Sequence, residues 1–298
     1  MCEQCLPTLS RRHLMIGSIG SRADLPRPQV GPLVIRPRSD WAGTERPPQR
    51  SLATEDVRFL LVHHSAGSNR DRPEDIADTI RSIYDFHTGR DRGWPDIAYN
   101  FLIDAYGTVW EARAGSLAGP VAGDATGGNQ GFSQLVCLLG DFTYQAPTAA
   151  ALGSLVQTLA WLADRHGIDT APGAEVGFTS RGSNRHAEGA LVTTATIAGH
   201  RSMSQTRCPG DVLFAYVRDQ LSGEVTKERR PLTTEPLTTE QAWVSPTRTS
   251  PDTVAAMPGT APPSTTGDGS GSGMMTGAVV GAMTLVVGLV ALRLRSVR

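Results

Sequence analysis

Cysteine is scarce, with four residues in a chain of 298. That is too few for a scaffold built on disulfides. Charge of one sign is also missing. Twenty-eight basic residues against 29 acidic leave a net charge of −1. The chain therefore has no general electrostatic pull toward nucleic acid, and a nucleic-acid partner is not expected. No repeat of 20–50 residues is visible, which argues against a solenoid or propeller. Aromatic residues make up 6% while glycine reaches 32 and proline 20. Those counts exclude a coiled coil, a collagen and a polytopic membrane protein, and they imply that part of the chain does not pack.

One long uncharged run is present, at residues 274–292. At about 1.5 Å per residue, nineteen residues nearly cross a hydrocarbon core of about 30 Å. Arg293, Arg295 and Arg298 follow directly. The excess of positive charge on that side predicts a cytoplasmic C-terminus, with everything before the span outside the cell. Residues 222–273 are rich in Thr, Pro, Ser and Gly, which predicts a flexible tether. Export is then required. Ser10-Arg11-Arg12-His13-Leu14-Met15 resembles a twin-arginine signal start. The apolar stretch after it is short, because Arg22 and Asp24 interrupt it. A disordered basic tail is the alternative. Cys2 and Cys5 form a lone Cys-x-x-Cys, a weak metal signal without a second pair.

Residues 34–221 form the expected folded domain. Phe59, Leu60, Leu61 and Val62 predict a buried strand ending at His63 and His64. Pro73 and the spacing of Ile76, Ile80, Ile83 and Tyr84 predict a helix over 73–87. Residues 97–103 and 108–111 flank Tyr106-Gly107, a hairpin signal. Residues 135–139 read as another buried strand. Thr148 suits the cap of a helix with Leu152, Leu155, Val156, Leu159, Leu162 and Ala163 on one face, ended by Gly167. Pro209 suits the first turn of a last helix reaching residue 221. Interleaved strands and helices predict an α/β fold with a mixed central sheet flanked by helices.

His63 closes a strand, His200 follows the apolar and Thr-rich run 191–198, and Cys208 lies eight residues further on. Two imidazoles and a thiolate are a three-ligand set that leaves a fourth position for water, as in catalytic zinc sites. Spacing alone also fits histidines hydrogen-bonded in a core.

Four ordered motifs carry a resemblance. Val62-His63-His64-Ser65-Ala66-Gly67 resembles the first zinc motif of the type 2 N-acetylmuramoyl-L-alanine amidases, which include phage-type amidases and peptidoglycan recognition proteins. Gly93-Trp94-Pro95-Asp96-Ile97-Ala98-Tyr99-Asn100-Phe101-Leu102-Ile103 is similar to the family's central segment. Gly107-Thr108-Val109-Trp110-Glu111-Ala112-Arg113 matches the hairpin after it. Gly199-His200-Arg201 with Thr206-Arg207-Cys208-Pro209-Gly210 resembles the second zinc motif, and Arg38-Ser39-Asp40-Trp41 the opening of the recognition-protein form.

The resemblance implies the amidase and recognition-protein fold, a Zn2+ ion held by His63, His200 and Cys208, and peptidoglycan as partner. It implies hydrolysis of the amide between N-acetylmuramic acid and the first L-alanine of the stem peptide. Tyr99 matches a tyrosine whose hydroxyl faces the metal, and Thr206 falls where relatives carry Thr or Lys. His64 is expected beside the metal or in the groove. Trp94 either lines the groove or covers the core. His87 matches a helix-end histidine that reads better as a core hydrogen bond. No His-Glu-x-x-His supplies a glutamate base, and Thr206 is too weakly basic to act alone. Ala125 stands where relatives often carry a histidine, and Leu135 where Gly is usual. Loss of activity would leave a silent peptidoglycan-binding protein. A Cys137–Cys208 disulfide is the alternative in an exported domain; reduced thiols are the expectation. A monomer held in the membrane by its C-terminal helix, with the amidase domain facing the cell wall, completes the reading.

Overall fold

The computed structural model describes residues 25–29, 31–127 and 131–229. The expectations for the leader, for the span at 274–292 and for most of the linker before it lie outside the described residues. Among the described residues no helix is long and apolar enough to cross a membrane.

In chain order the elements are β1 (Ile35–Arg36), α1 (Ser39–Ala42), β2 (Phe59–His64), a 3-10 turn (Pro73–Asp75) leading into α2 (Ile76–Thr88), β3 (Phe101–Ile103), β4 (Val109–Glu111), β5 (Ser133–Leu138) and α3 (Ala149–His166). A hairpin of β6 (Glu175–Thr179) and β7 (Leu191–Ala195) follows, then β8 (Ile197–Gly199), a 3-10 turn (His200–Ser202) and α4 (Asp211–Tyr216). Six strands form one sheet in the order β1-β4-β3-β5-β2-β8. Only β3 and β4 run antiparallel, so the sheet is mixed as expected.

β2 is buried along its whole length, which is why it reads as a continuous apolar run rather than an alternating one. Phe59 and Leu61 join the core beneath α2, with Ile76, Ile80 and Tyr84. Leu60 and Val62 point to the opposite face and pack with Leu152, Leu155 and Leu159 of α3. Each such side chain contributes about 1.5–3 kcal/mol by leaving water. The caps of α3 behave as read. The Ala151 amide donates to Thr148 Oγ1 at 3.0 Å, and Gly167 adopts a left-handed φ of 65°.

Three expectations need correction. The strand over 97–103 is regular only at Phe101–Ile103; before it the Ala114 and Leu135 amides donate to the side chains of Asp96 and Asn100 rather than to strand carbonyls. The last helix does not stop at residue 221. A π-helical turn (Val217–Leu221) leads into α5 (Ser222–Glu228), and Val225 is fully buried against the α3 side of the core. The fold also begins before residue 34: the Gln29 amide donates to the Ala149 carbonyl at 2.9 Å, and Leu25 and Leu33 pack on the core.

Candidate metal centre

Strand register brings the metal candidates together. In the parallel pair β2–β8, Val62 lies beside Gly199. The next residue in each segment is a histidine, His63 still in β2 and His200 opening the 3-10 turn after β8, so the two emerge side by side at the carboxyl edge of the sheet. Their rings are 4.4 Å apart, centroid to centroid. Cys208 returns to the same point, its Sγ 3.6 Å from His63 Nδ1. One donor atom from each of the three lies within 4.8 Å of the others, and all three residues are buried.

The return of Cys208 is fixed by polar ties. The Arg201 amide donates to the Cys208 carbonyl at 3.1 Å. The Arg201 guanidinium bonds Asp211 at 3.0 Å and stacks on Phe214. The sulfur accepts the His64 amide at 3.3 Å. Cys137 and Cys208 are not joined by a disulfide, and Cys137 lies in β5, in register with His63.

Both ring nitrogens of His200 are buried without a hydrogen-bond partner among the described residues. Leaving a buried polar atom unsatisfied costs about 1–3 kcal/mol. A cation held between His63, His200 and Cys208 removes that cost at His200. Two nitrogens and a sulfur suit zinc, so the residues present fit the ion that the motifs imply.

The other candidates divide. The Tyr99 ring is buried and 5.2 Å from that of His63, so it belongs to the centre. Thr206 Oγ1 accepts the Cys208 amide at 3.2 Å, which shapes the turn into the cysteine. His64 does not join the cluster through its side chain. Alternation along β2 turns its ring to the opposite face, where Nδ1 accepts the Phe142 amide at 3.3 Å and the ring nears Phe142. Its backbone amide, not its imidazole, reaches the sulfur. Trp94 is partly buried and packs on the core. Its ring lies 4.8 Å from that of His87, tilted by 47°, and His87 in turn meets Tyr99 at 5.6 Å. His87 Nδ1 accepts the Ala98 amide at 3.1 Å, so His87 is a core hydrogen-bonding residue.

The central motif mixes roles. The Asp96 carboxylate accepts Arg38 at 2.8 Å, the Ile97 amide at 2.8 Å and the Ala114 amide at 2.9 Å. Asn100 donates to Ser116 and Val121 and accepts the Leu135 amide. These two residues build the platform from which Tyr99 projects. In the altered loop, Ala125 is buried, while Asp124 pairs with Arg113 at 2.8 Å. Leu135 is accommodated because Gly123 faces it: a Cβ at 123 would lie 2.4 Å from Leu135 Cδ1. Sequence reasoning missed the hairpin of β6 and β7, whose tip reaches the segment between His200 and Cys208.

The family model described as N-acetylmuramoyl-L-alanine amidase matches residues 53–211, more than half of the chain. The chain belongs to this amidase family. Both recognition proteins and amidases are among its relatives. Peptidoglycan recognition protein 1 of Rattus norvegicus is 26% identical over 184 residues, 62% of this chain and 85% of the rat protein. The N-acetylmuramoyl-L-alanine amidase of Homo sapiens is 27% identical over 229 residues, 76% of this chain and 35% of the human one. The solved structure of bumblebee PGRP-SA shares the fold, with a TM-score of 0.50 and 19% identity over 64% of this chain and 96% of that chain.

Proposed function

We propose that this member of the amidase family is a zinc-dependent N-acetylmuramoyl-L-alanine amidase. It hydrolyses the amide that joins the lactyl group of N-acetylmuramic acid to L-alanine of the stem peptide. The observation that carries the reading is the buried His63, His200 and Cys208 cluster with Tyr99 beside it. When bound, zinc supplies Lewis acidity and a water acidified toward pKa ~7. The chain's residues do the rest. His63, His200 and Cys208 hold the ion, and the His64 amide steadies the sulfur. Tyr99 donates its phenol proton in a hydrogen bond to the oxygen on which charge develops, an interaction that strengthens along the reaction. Burial of the cluster keeps bulk water from screening that bond.

The test is a metal assay with a muropeptide digest on the purified chain. Stoichiometric zinc and release of free stem peptide are expected. A zinc-loaded chain that binds muropeptide and leaves it intact refutes the enzyme reading. That result would favour a silent recognition protein, to which one observation lends weight: Ala125 is buried in the core and supplies no imidazole where relatives often carry one.

Residues 274–292 are proposed to anchor this enzyme in the membrane, with the amidase domain outside, facing the cell wall. The uncharged run and the arginines on its far side support this.

A further inference from the structure

We propose that the tip of the β6–β7 hairpin is a positioning element for the metal centre and that Asn184 is the residue through which it acts. This rests on the zinc reading above and adds a supporting residue to it.

The hairpin stands outside the six-stranded sheet. Its eleven-residue tip, 180–190, is tied internally by polar bonds. Ser183 Oγ accepts the amides of Arg185 and His186, Ser180 Oγ accepts that of Gly182, and the Ser180 amide donates to the Ala190 carbonyl. A tip closed in this way presents side chains from a fixed frame. Asn184 Oδ1 accepts two bonds from one short segment: Ser204 Oγ at 2.8 Å and the Gln205 amide at 2.8 Å. His186 Nε2 lies 3.0 Å from the Ser202 carbonyl.

That segment is the limb between two of the metal ligands. His200 opens it, and Thr206 and Cys208 close it. The amides of Met203 and Ser204 both fold back on the His200 carbonyl, so a shift at Ser204 is felt at His200. On its other side Ser204 abuts the altered loop. A Cβ added to Gly127 would lie 2.4 Å from Ser204 Cβ. Ser204 is 1% exposed, held between Asn184 and Gly127. The hairpin is braced in turn at Arg181, which pairs with Glu55 at 2.7 Å and stacks 4.1 Å over Phe132. Bonds made directly to metal ligands typically change metal affinity 10–100-fold when lost; Asn184 acts one step removed, through Ser204, so the low end of that range is expected.

The full chain is prepared as wild type, Asn184→Ala, Asn184→Asp and Val192→Ala. Zinc affinity is read by competition with a chromogenic chelator, and the cobalt-loaded proteins are compared by their thiolate-to-cobalt absorption. Asn184→Ala is expected to weaken zinc roughly tenfold and to alter the cobalt band. Asn184→Asp keeps a side-chain acceptor and should bind zinc as the wild type does. Val192→Ala loosens the strand pairing just below the tip, where Val192 pairs with Phe178, without removing any of the tip's polar bonds. It should lower Tm and leave affinity unchanged. Wild-type affinity in Asn184→Ala overturns the inference. So does an equal loss in Val192→Ala, which would make the effect one of general stability. A wild-type chain that takes up no zinc overturns this inference and the zinc reading together, whereas the first two results leave the zinc reading intact.

Discussion

Gly210 offers a direct test of how tightly the cysteine limb is seated. It lies two residues after Cys208, with φ of 90°. A Cβ there would fall 2.3 Å from the Phe142 carbonyl carbon, 2.5 Å from its oxygen and 2.6 Å from the Thr143 nitrogen. All three are backbone atoms, so no side chain can swing aside. Gly210→Ala meets two costs. At φ 90° and ψ 154° the backbone lies in a region open almost only to glycine, which costs an L-residue roughly 1–3 kcal/mol, and overpacking costs typically 1–3 kcal/mol. Their sum is about 2–6 kcal/mol. For a domain of this size each kcal/mol moves Tm by about 2–4 °C, so a fall of roughly 4–24 °C is expected.

Relief of the clash has a direction. Phe142 is tied to β2 through the bond from its amide to His64 Nδ1. The Val212 amide also donates to the Phe142 carbonyl. Displacing Gly210 from Phe142 is therefore expected to shift Cys208, two residues before it, relative to His63. Thermal unfolding by circular dichroism should show the loss of stability, and chelator competition should show weaker zinc binding. A Tm within about 1 °C of the wild type would refute the overpacking argument. A large fall in Tm with wild-type zinc affinity would refute the coupling to Cys208.

Tyr99→Phe should keep the metal and lower kcat by roughly 10²–10³, the usual effect of losing one donor to a developing oxyanion; an unchanged kcat at full zinc occupancy removes Tyr99 from the chemistry. Burial pushes the Glu55 carboxyl up, but the hydrogen bonds from Arg181 and the Asp56 amide outweigh it and hold it below the usual carboxylate range. Glu55 therefore stabilises the fold above its unfolded pKa, and this contribution is lost as pH falls through the depressed value. Glu55→Gln should unfold more easily at neutral pH and converge on the wild type in acid; a stability difference that does not change with pH counts against the ion pair. Protease added to intact spheroplasts should digest the amidase domain and spare a small C-terminal fragment, whereas a domain cut only after lysis rules out the proposed topology.

The parts of the site that could be read from sequence share a physical origin. β2 is a run of four apolar residues closed by two histidines, and its burial on both faces makes both the run and its end visible. α3 announces itself by Thr148, a helical apolar stripe and Gly167. His200 and Cys208 sit in short motifs whose residue types are unusual together. His64 could be read only as lying beside the metal or in the groove, because adjacency in sequence is not adjacency on a strand: alternation sends neighbouring side chains to opposite faces. The end of the last helix was misplaced because composition changes at Ser222 while burial persists to Val225.

The hairpin was illegible for a different reason. Its strands are half-exposed, with Leu191 89% exposed beside buried Val192, so no apolar run marks them. Its tip is a string of Ser, Gly, Arg, Asn and His that reads as an ordinary polar loop. What gives the tip a role is a pair of bonds from Asn184 to residues twenty and twenty-one positions away. Such bonds have no period and no composition, and they depend on the fold being complete. Metal ligands need a scarce chemistry and so stand out in a sequence. The groups that aim them need only an oxygen or an amide at the right distance, which many residue types provide. Support for a site is therefore found in the structure, and it can come from the part of the chain whose sequence says least.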